Sequence, residues 1–124
     1  MDGSIQIPFE ARPGGLIIRF HNRDILERMV PTFEAVADLI KSHQARAALV
    51  DFRDIPGGST FLERYQMGET AARCLPRIAL AVLSHESQLD PGRIGIVVAA
   101  NRGAQVEIFT DPAAAEVWFA KNTE

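Results

Sequence analysis

The stretch Ala47-Ala48-Leu49-Val50-Asp51-Phe52 continues through Arg53-Asp54-Ile55-Pro56 into Gly57-Gly58-Ser59-Thr60, and an amphipathic segment follows. This order predicts a buried strand that ends on an acidic residue, a turn through glycines and the start of a helix. Open α/β sheets usually bind their ligands beyond the carboxyl ends of such strands. The stretch therefore predicts an α/β fold and directs the search for a functional site to residues 51–60.

The composition of the 124-residue chain predicts one domain spanning residues 1–124. Hydrophobic residues make up 47% of the chain and charged residues 23%, so there is enough apolar surface for a core. A formal net charge of -3 without a basic stripe argues against nucleic acid as a partner. Cys74 is the single cysteine, and the first residues lack the pattern of a signal peptide. We therefore expect a cytoplasmic protein.

The residues upstream of this stretch predict a hairpin followed by a long helix. Residues 5–9 and 16–20 are strand-like runs, and the proline and glycines between them suit an antiparallel turn. Over residues 24–43, apolar side chains recur at helical spacing. Pro31 lies inside this pattern, so either the helix is kinked there or its regular part begins near Val30. A kink is the preferred interpretation.

Downstream of the glycines, the pattern predicts a helix and then an interior strand. Ser59 or Thr60 is placed to cap the helix, which is expected to end at Leu75-Pro76. Residues 78–83 form a continuous apolar run, as in a strand that helices cover on both faces. Within the predicted helix, the apolar residues at helical spacing are Phe61, Tyr65, Ala72 and Leu75.

The last third of the chain completes the predicted fold. Residues 94–98 have strand-like composition, but Asp90-Pro91 provides a helix start and Gly103 a stop, so we predict a helix there. Residues 106–109 alternate as a last strand, and Asp111-Pro112 starts a final helix. The expected fold is α/β, a mixed β-sheet with an N-terminal hairpin and helices packed on the sheet.

Segments spread over residues 24–119 carry a resemblance to a known family. They are Asp24-Ile25-Leu26-Glu27-Arg28-Met29-Val30-Pro31, Ala47-Ala48-Leu49-Val50-Asp51-Phe52, Arg77-Ile78-Ala79-Leu80-Ala81-Val82, and Phe109 with Ala115 and Trp118-Phe119. In order and spacing they resemble the SpoIIAA-like group of STAS-type domains, although that family usually has tryptophan followed by leucine in its last helix. The resemblance implies a small α/β domain related in fold to bacterial anti-sigma-factor antagonists.

The start of the helix after the Asp51 strand departs from that family. The antagonists carry an Asp-Ser-Ser-Gly-type motif there, in which a partner kinase phosphorylates a serine. Here Gly58-Ser59-Thr60-Phe61 offers hydroxyls but lacks the flanking aspartate and the following glycine. A phosphate at a helix N-terminus is electrostatically favourable, yet ordinary capping accounts for the same hydroxyls. Capping is the preferred interpretation, and phosphorylation of Ser59 or Thr60 is a hypothesis.

The candidate binding or regulatory residues cluster mainly at this junction. Asp51 and Asp54 could form a carboxylate pair, but binding of backbone amides in the turn is preferred. The two glycines lack the lysine and the spacing of a phosphate-binding loop, and Arg102 is a minor candidate for recognising an acidic group. The full set is Asp51, Asp54, Gly57, Gly58, Ser59, Thr60 and Arg102.

Neither a metal site nor a catalytic residue is predicted. His21, His43 and His85 have neither helical spacing nor a cluster of other ligands around them. Cys74 lies late in a helix, without the context that lowers a thiol pKa, so an inert thiol is expected. We therefore expect no metal and no cofactor.

Two function classes stay open. The first and preferred is a non-catalytic regulatory or protein-interaction module that uses residues 51–60 and the adjoining helix face against an unknown protein partner. The second is a carrier of a lipid or small apolar ligand, because residues 94–100 could line a pocket. An enzyme is the least favoured class, since no nucleophile and base can be paired. The apolar run of residues 94–100 is also far shorter than the about 20 residues that span a bilayer, so no membrane span is expected. A homodimer is compatible with the chain.

Overall fold

A computed structural model describes residues 5–88 and 105–124 as an α/β fold with a five-stranded mixed sheet. The strands are β1 (Phe9–Arg12), β2 (Gly15–Arg19), β3 (Ala47–Asp51), β4 (Ala79–Leu83) and β5 (Gln105–Phe109). The helices are α1 (Asp24–Glu27), α2 (Met29–Ser42), α3 (Phe61–Cys74) and α4 (Pro112–Asn122), and a short 3-10 helix spans Glu86–Gln88. The helix predicted over residues 94–98 lies outside the described residues.

The strands lie side by side in chain order, from β1 to β5. β1 and β2 form the predicted antiparallel hairpin, and every later neighbouring pair is parallel. The predicted interior strand, β4, lies between β3 and β5. In register, Arg19, Asp51, Leu83 and Phe109 form one row across the carboxyl ends of the four parallel strands. Asp51 thus lies at the edge of the sheet where the sequence predicts a site.

Helices cover both faces of the sheet. α1, α2 and α3 lie on one face, over a core that includes Leu16, Ile18 and Val50. α4 packs on the other face, where Phe119 and Ala115 contact the side chains of β2, β3 and β4. All five residues of β3 are buried, because β3 has a strand on each side and helices above and below.

Two predicted boundaries are wrong. The first strand spans Phe9–Arg12 rather than residues 5–9, because the tight turn lets pairing run up to Arg12 and Gly15. The helix predicted over residues 24–43 is two helices separated at Arg28, rather than one helix kinked at Pro31. Inside a continuous helix, a proline ring clashes with the carbonyl four residues earlier. The break places Pro31 in the first turn of α2, where no amide hydrogen is needed.

The buried face of α3 differs from the predicted line of apolar residues. Phe61, the first residue of that line, is exposed, and the residues of α3 that are buried are Gly68 and Thr70. Met67 and Ala71 pack against the core beside them. Among the described residues, no helix combines the length and the apolar character needed to cross a membrane.

Candidate functional site

Asp51 is held at the end of β3 by Arg53, two residues further along the chain. The Asp51 residue is 3% exposed, and its Oδ1 accepts hydrogen bonds from the backbone N and the Nε of Arg53, each 3.0 Å long. Oδ2 accepts a third bond from Arg53 Nη2 at 2.9 Å. The carboxylate and the guanidinium therefore form a paired fork, the geometry in which charge-assisted hydrogen bonds are strongest.

The charge of Asp51 is stabilised by this pairing. Burial raises the pKa of the Asp51 carboxyl, but the hydrogen bonds from Arg53 and the charges of Arg53 and Arg19 outweigh burial and hold the pKa below its usual value. In return, the hydrogen bond to Asp51 raises the pKa of Arg53. A carboxylate committed to three hydrogen bonds is a poor proton acceptor, so this geometry suits a structural role in the turn better than acid-base chemistry.

The structure does not pair Asp54 with Asp51. The Asp54 carboxylate is exposed, and its Oδ2 lies 3.6 Å from Nδ1 of His21. Asp51 binds a backbone amide, as the turn interpretation predicts, whereas Asp54 lies at the solvent side of the loop with a histidine. The two aspartates therefore have different environments.

Arg23 fixes the glycine turn from the other side. Its Nη1 donates to the carbonyl oxygens of Pro56 at 2.6 Å and Gly58 at 3.0 Å. Gly57 and Gly58 both have positive φ angles, of 79° and 64°, which residues with a Cβ rarely adopt. A Cβ on Gly57 would also lie 3.2 Å from Arg23 Nη1. Both glycines are thus explained by the shape of the turn.

The helix start after the glycines is capped by Thr60. The Thr60 Oγ1 accepts from the Glu63 backbone N at 3.1 Å, and the Glu63 carboxylate accepts from the Thr60 N at 2.8 Å. This reciprocal pair is a capping box. Ser59 lies outside the cap, and Arg64 Nη1 donates to its carbonyl oxygen at 2.6 Å and approaches its Oγ at 3.4 Å. Of the two predicted hydroxyls, Thr60 serves as the cap.

A small cavity of about 170 Å³ opens beside the loop, at the carboxyl ends of β3 and β4. Its volume is below the range of about 300–1,000 Å³ typical of sites for small molecules. Ser59, Ser84, Ser87, His85 and Arg53 give it a polar side. Phe52, Ile55 and Met67 give it an apolar side.

Two large apolar side chains are exposed where the loop meets α3. Phe61 is 56% exposed and Leu62 is 60% exposed. They follow directly on Thr60, so they extend the surface of the 51–60 loop onto the first turn of the helix. Together, residues 51–60 with Phe61 and Leu62 are called the loop–helix surface below.

Three arginines that hold the loop–helix surface in place were not identified from the sequence. Arg53, Arg23 and Arg64 each hold a carboxylate or a carbonyl of residues 51–59. Arg53 lies within the loop and Arg64 follows it closely in the chain, and this proximity was an available signal. Arg23 gave no such signal, because its partners lie 33 and 35 residues away. Glu63 could have been found from the Thr60-x-x-Glu63 spacing of a capping box.

The remaining candidates lie elsewhere or outside the described residues. Arg102 falls outside them. Cys74 is partly buried against the core, and His43 contacts Phe9 edge to face, with ring centroids 5.0 Å apart. Within residues 5–88 and 105–124, no cluster of three potential metal ligands occurs.

No protein-family model matches this chain, and no curated protein matches its sequence.

Proposed function

We propose that the chain is a non-catalytic regulatory or protein-interaction domain of STAS-like type, and that the loop–helix surface is where it binds a partner protein. The observation that carries the proposal is the exposure of Phe61 and Leu62 at the first turn of α3. Adjacent large apolar side chains that face solvent beside polar groups are typical of contact sites between proteins.

The hydrogen bonds that hold the neighbouring loop support this use. Arg23 and Arg64 bind backbone carbonyls of residues 56–59, and Arg53 binds Asp51. A surface already held in one conformation loses less conformational entropy when a partner binds. The loop would thus present fixed polar groups around the two apolar side chains.

Ser59 supports the regulatory part of the proposal better than Thr60 does. The Ser59 hydroxyl lies beside the Arg64 guanidinium, which would attract a phosphate at that position. The Thr60 hydroxyl accepts the Glu63 amide, so a phosphate there would disturb the helix cap. If the domain is controlled by phosphorylation, Ser59 is the residue we expect to be modified.

Site-specific photocrosslinking in the native host tests the proposal. A benzophenone amino acid replaces Phe61 in one variant and Val117, which is 57% exposed on α4, in a matched control. We expect a discrete crosslinked protein at position 61 that disappears when Leu62→Ser is added, and none at position 117. The same pattern of products at both positions, or no product at position 61, would contradict the proposal.

The identity of the product separates the two kinds of partner. A crosslink to a second copy of the chain would assign the surface to a homodimer, which sedimentation analysis of the purified protein must then confirm. The carrier alternative depends on residues 94–100, which lie outside the described residues. Native mass spectrometry followed by denaturation tests it, because a stoichiometric lipid released from the protein would replace the interaction proposal.

A further inference from the structure

A second cavity, of about 390 Å³, lies at the edge of the sheet opposite the loop–helix surface. It is formed where the parallel strands begin, and four of its lining residues carry polar side chains. The lining residues include Arg46 and Arg77, which carry guanidinium groups, and Gln105 and Asn122, which carry amides. We call it the amino-edge cavity. Its volume falls within the range of about 300–1,000 Å³ typical of sites for small molecules.

The fold brings these four side chains together from separate elements. Arg46 directly precedes β3, and its carbonyl oxygen accepts a hydrogen bond from the Ala79 amide at the start of β4, 3.1 Å away. Gln105 pairs in register with Ala79. Asn122, the last residue of α4, is held by its Nδ2 bond of 2.8 Å to the Trp118 carbonyl oxygen. The positions of the polar groups are therefore set by the sheet and by α4.

The charge of the amino-edge cavity is uncompensated within the described part of the chain. No carboxylate lines the cavity there. The ion pairs formed by residues 5–88 and 105–124 include neither Arg46 nor Arg77. α2 and α3 run toward this edge before β3 and β4, and the carboxyl ends of helices favour nearby cations. Within the described residues, the lining of the cavity therefore has two cationic side chains and no anionic one.

We propose that the amino-edge cavity binds a small organic anion, with its carboxylate or phosphate group between Arg46 and Arg77. The planar guanidinium fork matches the oxygen geometry of both groups. Gln105 Nε2 donates to Asn122 Oδ1 at 3.4 Å, and the second hydrogen of each amide nitrogen and the Gln105 Oε1 are the groups we assign to the rest of the ligand. This site is independent of the loop–helix surface, at the other edge of the sheet.

Titration followed by amide NMR spectroscopy tests this site, with inorganic phosphate and succinate as separate probes at constant ionic strength. We expect saturable shifts that cluster at Arg46, Arg77, Gln105 and Asn122 with at least one probe. Saturation with phosphate alone assigns a phosphate-bearing ligand, and saturation with succinate alone assigns a carboxylate. Arg46→Gln and Arg77→Gln should each weaken binding by about tenfold or more.

Arg73→Gln is the matched control, because it removes one positive charge from the end of α3 without altering the lining of the cavity. It should leave the affinity unchanged. The proposal is overturned if neither probe gives saturable shifts up to about 10 mM, or if the shifts lie elsewhere in the wild-type protein. It is also overturned if the Arg46→Gln and Arg77→Gln double variant binds as well as the wild type.

Discussion

Arg23 and Pro56 are joined by a hydrogen bond of 2.6 Å from the guanidinium Nη1 to the carbonyl oxygen, although 33 residues separate them in the chain. The same nitrogen donates to the Gly58 carbonyl, and Nη2 lies 3.4 Å from the Glu63 carboxylate. One side chain thus joins the segment before α1 to the glycine turn and to the start of α3.

Arg23→Gln should lower the free energy of unfolding by about 1–2 kcal/mol, because the two carbonyl bonds of the guanidinium are lost. Arg23→Lys should recover part of this, because Nη1 alone donates to both carbonyls, whereas one ammonium nitrogen cannot also replace the contacts of Nε and Nη2 with Glu27 and Glu63. Chemical denaturation measures the change, and faster hydrogen exchange of the Gly58 amide would locate it. Arg12→Gln, at an exposed ion pair with Glu10, should cost at most about 0.5 kcal/mol. Wild-type stability in Arg23→Gln would contradict the role of the guanidinium.

Asp51→Asn should lower the free energy of unfolding at neutral pH by about 1–3 kcal/mol, because three hydrogen bonds to a charged acceptor are weakened. The folded-state pKa of Asp51 is lowered. Its contribution is therefore fully present above the unfolded-state pKa of about 3.9 and is lost as the pH falls through the lower folded-state value. Denaturation at a series of pH values should show the gap between wild type and variant closing below about pH 4. A gap independent of pH would count against the ionic contribution.

Arg53→Gln provides the complementary test of this pair. It leaves the Asp51 carboxylate buried without its cation, which raises the pKa of Asp51 and shifts the acid transition to higher pH. Solvent reaches part of the Arg53 side chain, so the cost should be smaller than for a fully buried pair, about 1–3 kcal/mol. Acid denaturation followed by circular dichroism measures the shift. An unchanged acid midpoint would show that Arg53 does not set the charge of Asp51.

Gly15→Ala should destabilise the fold by about 1–3 kcal/mol through overpacking between β2 and α4. A Cβ at this position would lie 2.6 Å from the Phe119 Cζ. Thermal denaturation measures the loss. In a double-mutant cycle, Phe119→Leu should remove part of the additional cost, because it shortens one of the two side chains that meet the new methyl group, the other being Thr123, whose Cγ2 would lie 2.8 Å away. Strictly additive losses of stability in the double variant would show that the cost of Gly15→Ala does not come from contact with Phe119.

Thr60→Ala should cost about 0.5–2 kcal/mol, whereas Ser59→Ala should cost clearly less, because only the Thr60 hydroxyl caps α3. Equilibrium denaturation compares the two variants. Phosphopeptide mapping of protein from the native host addresses the regulatory hypothesis, with modification expected at Ser59 and not at Thr60. An unmodified Ser59 under all growth conditions would argue against phosphorylation as the control.

Local sequence patterns predicted those elements whose signals act over a few residues. The Pro13-Gly14 turn, the apolar run of β3 and the Asp111-Pro112 start of α4 each depend on neighbours in the chain, and the structure confirms all three. The preferred kink at Pro31 was wrong, whereas the alternative, a regular helix that begins near Val30, lies within one residue of the observed start at Met29. Periodicity alone did not choose between the two, because the apolar spacing is the same in both.

The candidate site was less accessible to prediction because its geometry depends on distant contacts. Arg23 reaches the loop only through hydrogen bonds to residues 33–40 positions further along the chain. The exposure of Phe61 could not be read from spacing, since the same helical period fits more than one face of α3. Asp51 was located correctly at the strand end, but its pairing with Arg53 depends on the path of the turn that follows.

At one margin of the described sheet, β1 pairs with β2 on a single side, and all four of its residues are exposed. Unpaired backbone groups at such a margin are a template for pairing with a strand from a neighbouring molecule. Glu10 and Arg12 form an ion pair on this strand, and charged side chains at a margin discourage such additions. An added strand would have to pack beside both charged side chains. The sequence of β1 therefore disfavours the edge-to-edge aggregation to which an apolar edge strand is prone.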